Sequence, residues 1–351
     1  MFTSTLIIHS PMDSITQFVL GAGVGEAVLG KKIGNKALLW GGLAGTIPDL
    51  DIVLYPFLDE IGRITVHRGI SHSIFFAVFA GLFFGWLFFK WYNKSPGNTT
   101  TFKEWALLFG LGFLTHSLLD AFTVYGTQLL LPFSDYRVGF NSIFIVDPIY
   151  TVPFIISIIA CSFLKQTSQT RRMVNIAGLA FSTLYLCLTL VNKSFANDAF
   201  ERALTEQKIP YSRYMSAPSP LQNVLWYAVA EVEGGYYIGY HSFFDDKDKK
   251  IDFEFFPRNE ELLADFEGTY ALNRLKWFAN DYYVVEKRGE QIIFSDFTFG
   301  KMGFENQNMG YVFSFPLSKD ENGKVHFYET REVPEDVGEV FGMLWKRVKG
   351  R

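Results

Sequence analysis

The sequence predicts an α-helical polytopic membrane domain of about six transmembrane helices, followed by a small soluble α+β domain. The chain has 351 residues and is 49% hydrophobic, but unevenly so. Up to about residue 193 long apolar runs are separated by short charged gaps, whereas from 194 onward Tyr, Phe, Asp, Glu and Lys intermix as in a soluble domain. Several of the N-terminal runs meet or approach the roughly 20 apolar residues that a spanning helix requires. The expected division is therefore 1–193 and 194–351. Residues 1–11 are expected to be a disordered extension or a start-site misassignment, because the amphipathic run opens at Met12-Asp13-Ser14 with no basic n-region or alanine-type cleavage site before it.

The expected spans are about 14–30, 37–57, 72–91, 105–131, 145–164 and 173–192. The first is interrupted by Gln17 and Glu26. The second is broken at Pro48, which removes a backbone donor, and such breaks are tolerated where they line a protein or water cavity. Gly21, Gly23 and Gly25, followed by Gly41, Gly42 and Gly45, would let the first two helices approach closely. Basic residues set the orientation. Lys31, Lys32 and Lys36, then Lys90, Lys94 and Lys103, then Lys165, Arg171 and Arg172 occupy alternate gaps. Those gaps are expected on the cytoplasmic side, which puts the C-terminal domain outside the cytoplasm.

On that topology Asp49, Asp51, His67, His72, His116 and Asp120 fall at one depth, towards the outer face. Acids and imidazoles inside apolar runs are costly and mark function by default, and His with Asp is a donor set for a divalent metal. His116 and Asp120 are four apart and share a helix face. Asp49 and Asp51 flank an unwound turn where both carboxylates are expected to converge. His67 and His72 straddle Gly69, which permits a turn before Ser71 caps the next helix. Arg68 could neutralise a phosphate or pair with an acid. Glu26 is expected near the cytoplasmic end in a packing role, and Gln17 near the site.

The residues thus imply a metal site, with zinc favoured and manganese or iron possible, that lowers the pKa of water for hydrolysis. Asp51 is the candidate base, with Arg68 as the second catalytic candidate. No zinc-protease helix, nucleophile elbow or phosphate loop is present. A net charge of −4 without a basic stripe excludes nucleic acid as the expected partner. Cys161 and Cys187, lying in apolar runs, are expected as buried packing residues.

Pro48-Asp49-Leu50-Asp51, His67-Arg68-Gly69-Ile70-Ser71-His72-Ser73 and His116-x3-Asp120 followed by Thr123 and Gly126 resemble the YdjM-type membrane-bound metal-dependent hydrolases of bacteria over about residues 12–150. The resemblance implies a bacterial plasma (inner) membrane location and metal ligation by Asp49, Asp51, His67, His72, His116 and Asp120. It also implies a relation to zinc-dependent phospholipase C and P1-type nuclease folds, hence phosphoester chemistry. Ser71 stands where relatives often have Thr. Gln17 stands where many have His, which removes one expected ligand.

In the C-terminal part, 194–210 reads as an exit helix and Pro210, Pro218 and Pro220 as a linker. Alternating runs near 225–232, 236–244, 251–256, 282–286, 291–297 and 311–315 read as antiparallel strands, with helices near 260–278 and 335–348. His241 and His326 are isolated. The expected function is a membrane-embedded hydrolase using metal-activated water on a phosphoester or lipid-linked substrate at the outer face. The alternatives are an ion- or proton-coupled transporter, against which the lack of repeats counts, and a scaffold with a structural metal.

Overall fold

The computed structural model describes residues 11–94, 97–246, 248–301, 310–331 and 337–350. Residues 1–10 of the expected extension lie outside the described residues, and helix α1 opens at Pro11. The chain forms two compact units. One comprises residues up to Val53, then Val66–Leu190 and Pro220–Gln222. The other comprises Leu54–Thr65, Val191–Ser219 and the chain from Asn223 onward.

The first unit is helical. Its helices are α1 (Pro11–Ile33), α2 (Asn35–Thr46), α4 (Ile74–Tyr92), α5 (Phe102–Ala121), α6 (Pro148–Phe163) and the first part of α7 (Gln169–Glu206). Short helix α3 (Glu60–Val66), which falls in the second unit up to Thr65, precedes α4 in the chain. A Thr101–Glu104 capping box starts α5 by satisfying otherwise orphaned N–H groups at both positions. Asp147 caps α6, with Pro148 at its first turn. As the glycine pattern predicts, α1 and α2 are in backbone contact. A Cβ on Gly21 would lie 2.8 Å from Gly45 Cα, and one on Gly25 would lie 2.8 Å from Gly41 Cα. Pro48 ends regular α-helix as expected, and α2 continues into a 3-10 helix over Ile47–Phe57. One core joins Leu29, Ala44, Ala77, Trp105, Phe109 and Phe113. A second joins Val19, Leu119, Tyr150, Phe154 and Tyr185.

Six spans are not supported. Among the described residues three helices are long and apolar enough to cross a membrane: Asn35–Phe57, Ile74–Tyr92 and Gln169–Glu206. Pro148–Phe163 is apolar but shorter. The helices α1 and α5, both expected as spans, carry Gln17, Glu26, His116 and Asp120 in buried positions. Polar groups facing protein lower a helix's apolar average without exposing charge. Glu26 is buried and ion-paired. Arg171 holds it in a two-pronged ion pair of 2.7 and 2.6 Å, and Arg171 also donates to Asn35 Oδ1 at 2.7 Å. Cys161 is buried, but Cys187 is exposed on α7, contrary to expectation.

The second unit holds two antiparallel four-stranded sheets, each in sequence order. The first is β1 (Arg213–Pro218), β2 (Leu225–Val232), β3 (Gly235–Ser242) and β4 (Phe253–Pro257); the second is β5 (Tyr283–Arg288), β6 (Gln291–Asp296), β7 (Ser314–Lys319) and β8 (Val325–Phe327). Pairing of Val232 with Gly235 leaves Glu233-Gly234 as a two-residue turn, with Gly234 at φ 79°, the backbone twist tight hairpins favour. Ala196 and Phe200 of α7 pack on Trp226, Ala228 and Ile251. The helix expected over 260–278 is two pieces, a 3-10 turn at Glu260–Phe266 and α8 (Tyr270–Phe278). Gly268 at φ 74° breaks it, and the Thr269 side chain caps α8. The strands β1 and β8 were not expected, because Pro218 and the shortness of β8 conceal their alternation. The last helix, α9, runs over Val337–Val348.

Candidate metal centre

Asp49 comes from the 3-10 helix, His72 from the turn before α4, and His116 and Asp120 from adjacent turns of α5. His72 Nε2 lies 3.2 Å from Asp49 Oδ1, 3.3 Å from Asp120 Oδ2 and 3.0 Å from His116 Nε2. His116 Nε2 lies 3.4 Å from Asp49 Oδ1 and 3.6 Å from Asp120 Oδ2. Among the described residues these side chains form a four-donor group able to hold a metal ion, with all donor atoms within 4.8 Å of one another. Nitrogen and oxygen ligands at zinc distances form a tetrahedron with edges of roughly 3.4 Å. The distances above scatter around that edge.

Proton bookkeeping sharpens the fit. His116 Nδ1 is 2.7 Å from the Gly45 carbonyl oxygen, which can only accept, so Nδ1 carries the proton and Nε2 presents a lone pair. Ser71 Oγ donates to Asp51 Oδ2 at 3.3 Å and lies 3.0 Å from His72 Nδ1. With the serine proton on Asp51, Oγ accepts from His72 Nδ1–H, and His72 Nε2 also presents a lone pair. Asp120 Oδ2 is buried and accepts no hydrogen bond of regular geometry, with Arg68 Nε and His72 Nε2 at ion-pair distance from it. Two nitrogen lone pairs facing two carboxylate oxygens in a buried pocket are a donor set that a bound cation would satisfy. The residues fit a divalent metal.

Because the segment after Pro48 stays helical instead of unwinding, Asp49 and Asp51 part company. At about three residues per turn, positions two apart point to different sides, so the expected convergence of the two carboxylates does not occur. Asp51 lies outside the four-donor group and adjoins His67, with Oδ1 3.2 Å from His67 Nδ1. It also accepts the Arg68 backbone N–H at 3.2 Å. The left-handed residue of this turn is Arg68, at φ 54°, rather than Gly69. Ser73, rather than Ser71, caps α4 by accepting from Phe76 N–H at 3.0 Å, which frees Ser71 for Asp51 and His72.

Arg68 is buried and bonded to protein on several sides. Its Nε lies 3.2 Å from Asp120 Oδ2, its Nη1 donates to Thr123 Oγ1 at 2.8 Å, and its guanidinium stacks 4.9 Å from the Tyr125 ring centre. Gln17 touches the site, as expected. Its Nε2 donates to Asp120 Oδ1 at 2.8 Å and to the His116 carbonyl at 3.3 Å. The Gly45 carbonyl and the ring of Tyr125 are site components that motif spacing does not reveal. The first acts through its backbone, and the second is an aromatic among many.

The description "YdjM inner membrane protein" matches residues 12–196. The chain is 28% identical over 135 residues to the inner membrane protein YbcI of Escherichia coli (strain K12), covering 38% of this chain and 70% of that protein. It is 31% identical over 144 residues to the protein YfhP of Bacillus subtilis (strain 168), covering 39% of this chain and 42% of that protein. No solved structure matches. The family match contains the segments that supply Asp49, His72, His116 and Asp120 and spans more than half of the sequence, and the chain belongs to the YdjM inner membrane protein family.

Proposed function

We propose that this protein is a metal-dependent hydrolase of the bacterial inner membrane, acting on a phosphoester or lipid-linked substrate at the outer face, with its C-terminal domain outside the cytoplasm. The observation that supports this most is the convergence of the possible ligand atoms of Asp49, His72, His116 and Asp120, all within 4.8 Å of one another. When bound there, a divalent cation, zinc favoured, acidifies water and polarises a phosphoryl or carbonyl oxygen. His72 and His116 are held as Nε2 donors by Ser71 and Gly45. Asp49 is the partly exposed donor, at 19% against 0–2% for the others, so water and substrate approach from its side. Asp51 Oδ1, coupled to His67 Nδ1, takes up the water proton. Arg68 balances the charge of Asp120 and so keeps two buried carboxylates compatible.

One observation favours a second reading, a non-catalytic scaffold with a structural cation. Four protein donors fill a tetrahedron, and closed sites of that kind are usually structural. Hydrolysis then requires Asp49, the donor nearest solvent, to give up its place. The test is a panel of phospholipids, lipid-linked phosphates and soluble phosphoesters offered to the purified protein with and without divalent cation. Cation-dependent hydrolysis that His116→Ala abolishes supports the hydrolase. A tightly held cation with no turnover across the panel sinks it and supports the scaffold.

A further inference from the structure

Gln17 is 1% exposed, and its amide is pinned in one orientation. Its two neighbours at hydrogen-bond distance, Asp120 Oδ1 at 2.8 Å and the His116 carbonyl oxygen at 3.3 Å, are both acceptors. The amide nitrogen therefore faces them, and a flipped amide would set oxygen against oxygen. This leaves Gln17 Oε1 buried without a hydrogen bond, an arrangement a protein keeps only where something compensates. The helix carrying Gln17 is held in register next door, where Thr16 Oγ1 and Thr151 Oγ1 are 2.8 Å apart.

The consequence falls on Asp120. One of its oxygens is committed to Gln17, and only Oδ2 faces His72 and His116. A carboxylate with one oxygen tied to an N–H ligates through the other alone. Four single-atom donors suit zinc, which takes four ligands in a tetrahedron. Manganese, like magnesium and calcium, favours oxygen-rich shells of six or more, and a two-oxygen Asp120 would be the simplest way to enlarge this shell. We propose that Gln17 is a selectivity-determining positioning residue. By holding Asp120 Oδ1 it restricts Asp120 to one-oxygen ligation and sets the site for a zinc-type cation over manganese. This rests on the cation site of the proposed function.

The test compares the wild type with Gln17→Met and Gln17→Leu, which keep the bulk and remove the donor. Zinc and manganese affinities are measured by chelator competition on the full-length protein, beside the thermal midpoint of each metal-free form. A lost packing contact would lower the metal-free midpoint and weaken both metals alike. The proposal expects the zinc-to-manganese affinity ratio to fall by roughly tenfold or more in both variants, with X-ray absorption showing more light-atom ligands around the bound metal than in wild type. A ratio equal to that of wild type in either folded variant overturns the selectivity role while leaving the cation site intact. Failure of the wild type to bind either metal overturns the cation site, and this inference with it.

Discussion

Asp51 lies outside the four-donor group but reaches one of its imidazoles through a hydroxyl. Ser71 Oγ bridges Asp51 Oδ2 and His72 Nδ1 at 3.3 and 3.0 Å, so the carboxylate fixes the imidazole's tautomer through a hydroxyl. Partners of this kind typically hold ligands at a cost of about 10–100-fold in metal affinity when lost. Asp51→Asn is expected to weaken metal binding by that factor in a chelator competition, and Ser71→Ala to do the same. Unchanged affinity in both would show that His72 needs no such support. The i,i+4 pair His116 and Asp120 was legible in the sequence because helical period alone puts them on one face. The separation of Asp49 from Asp51 was not, because Pro48 signals a break at which both could converge, whereas the chain stays helical through Phe57. The place of Gln17 near the site was legible, but its particular bond to Asp120, 103 residues away, was not.

The elements that carry these residues are set by small side chains. Gly21 and Gly25 of α1 face Gly45 and Gly41 of α2 in backbone contact, which brings Gln17 and the Gly45 carbonyl to the same centre. A Cβ at Gly41 would lie 2.7 Å from Gly25 Cα, where only backbone could give way. Gly41→Leu is therefore expected to destabilise the protein by at least the ~1–3 kcal/mol typical of overpacking and to loosen metal binding, read as a lower thermal midpoint and a faster loss of metal to chelator. A variant as stable as wild type would contradict the close packing. This interface was legible from glycine spacing. The number of spans was not, because α1 and α5 trade apolar surface for the buried polar groups of the site.

The two units differ in how far alternation and periodicity reveal them. Most strands of the C-terminal part were legible, but the split at Gly268 and the edge strands β1 and β8 needed the pairing itself. Stability there has an acid-sensitive component. Burial raises the Asp245 carboxyl, but hydrogen bonds from His241 and Arg347 and the Ser242 backbone N–H outweigh it and hold it well below the usual range. Arg347 reaches it at 2.5 and 2.9 Å. A carboxyl depressed on folding contributes stability that is present above its unfolded value of about 3.9 and is lost as pH falls towards the folded value. Arg347→Met is expected to lower the melting midpoint of the domain's transition at pH 7 and to flatten its decline below pH 4; equal slopes for variant and wild type would rule out that pair as the source. The account as a whole stands on a cation held by Asp49, His72, His116 and Asp120. Its most direct test is elemental analysis of the purified protein beside the His116→Ala, Asp120→Ala double variant. The prediction is about one equivalent of a divalent transition metal per wild-type chain, as expected for a single four-donor site, and none in the variant. Wild type without metal after reconstitution, or a double variant that retains as much, would contradict it.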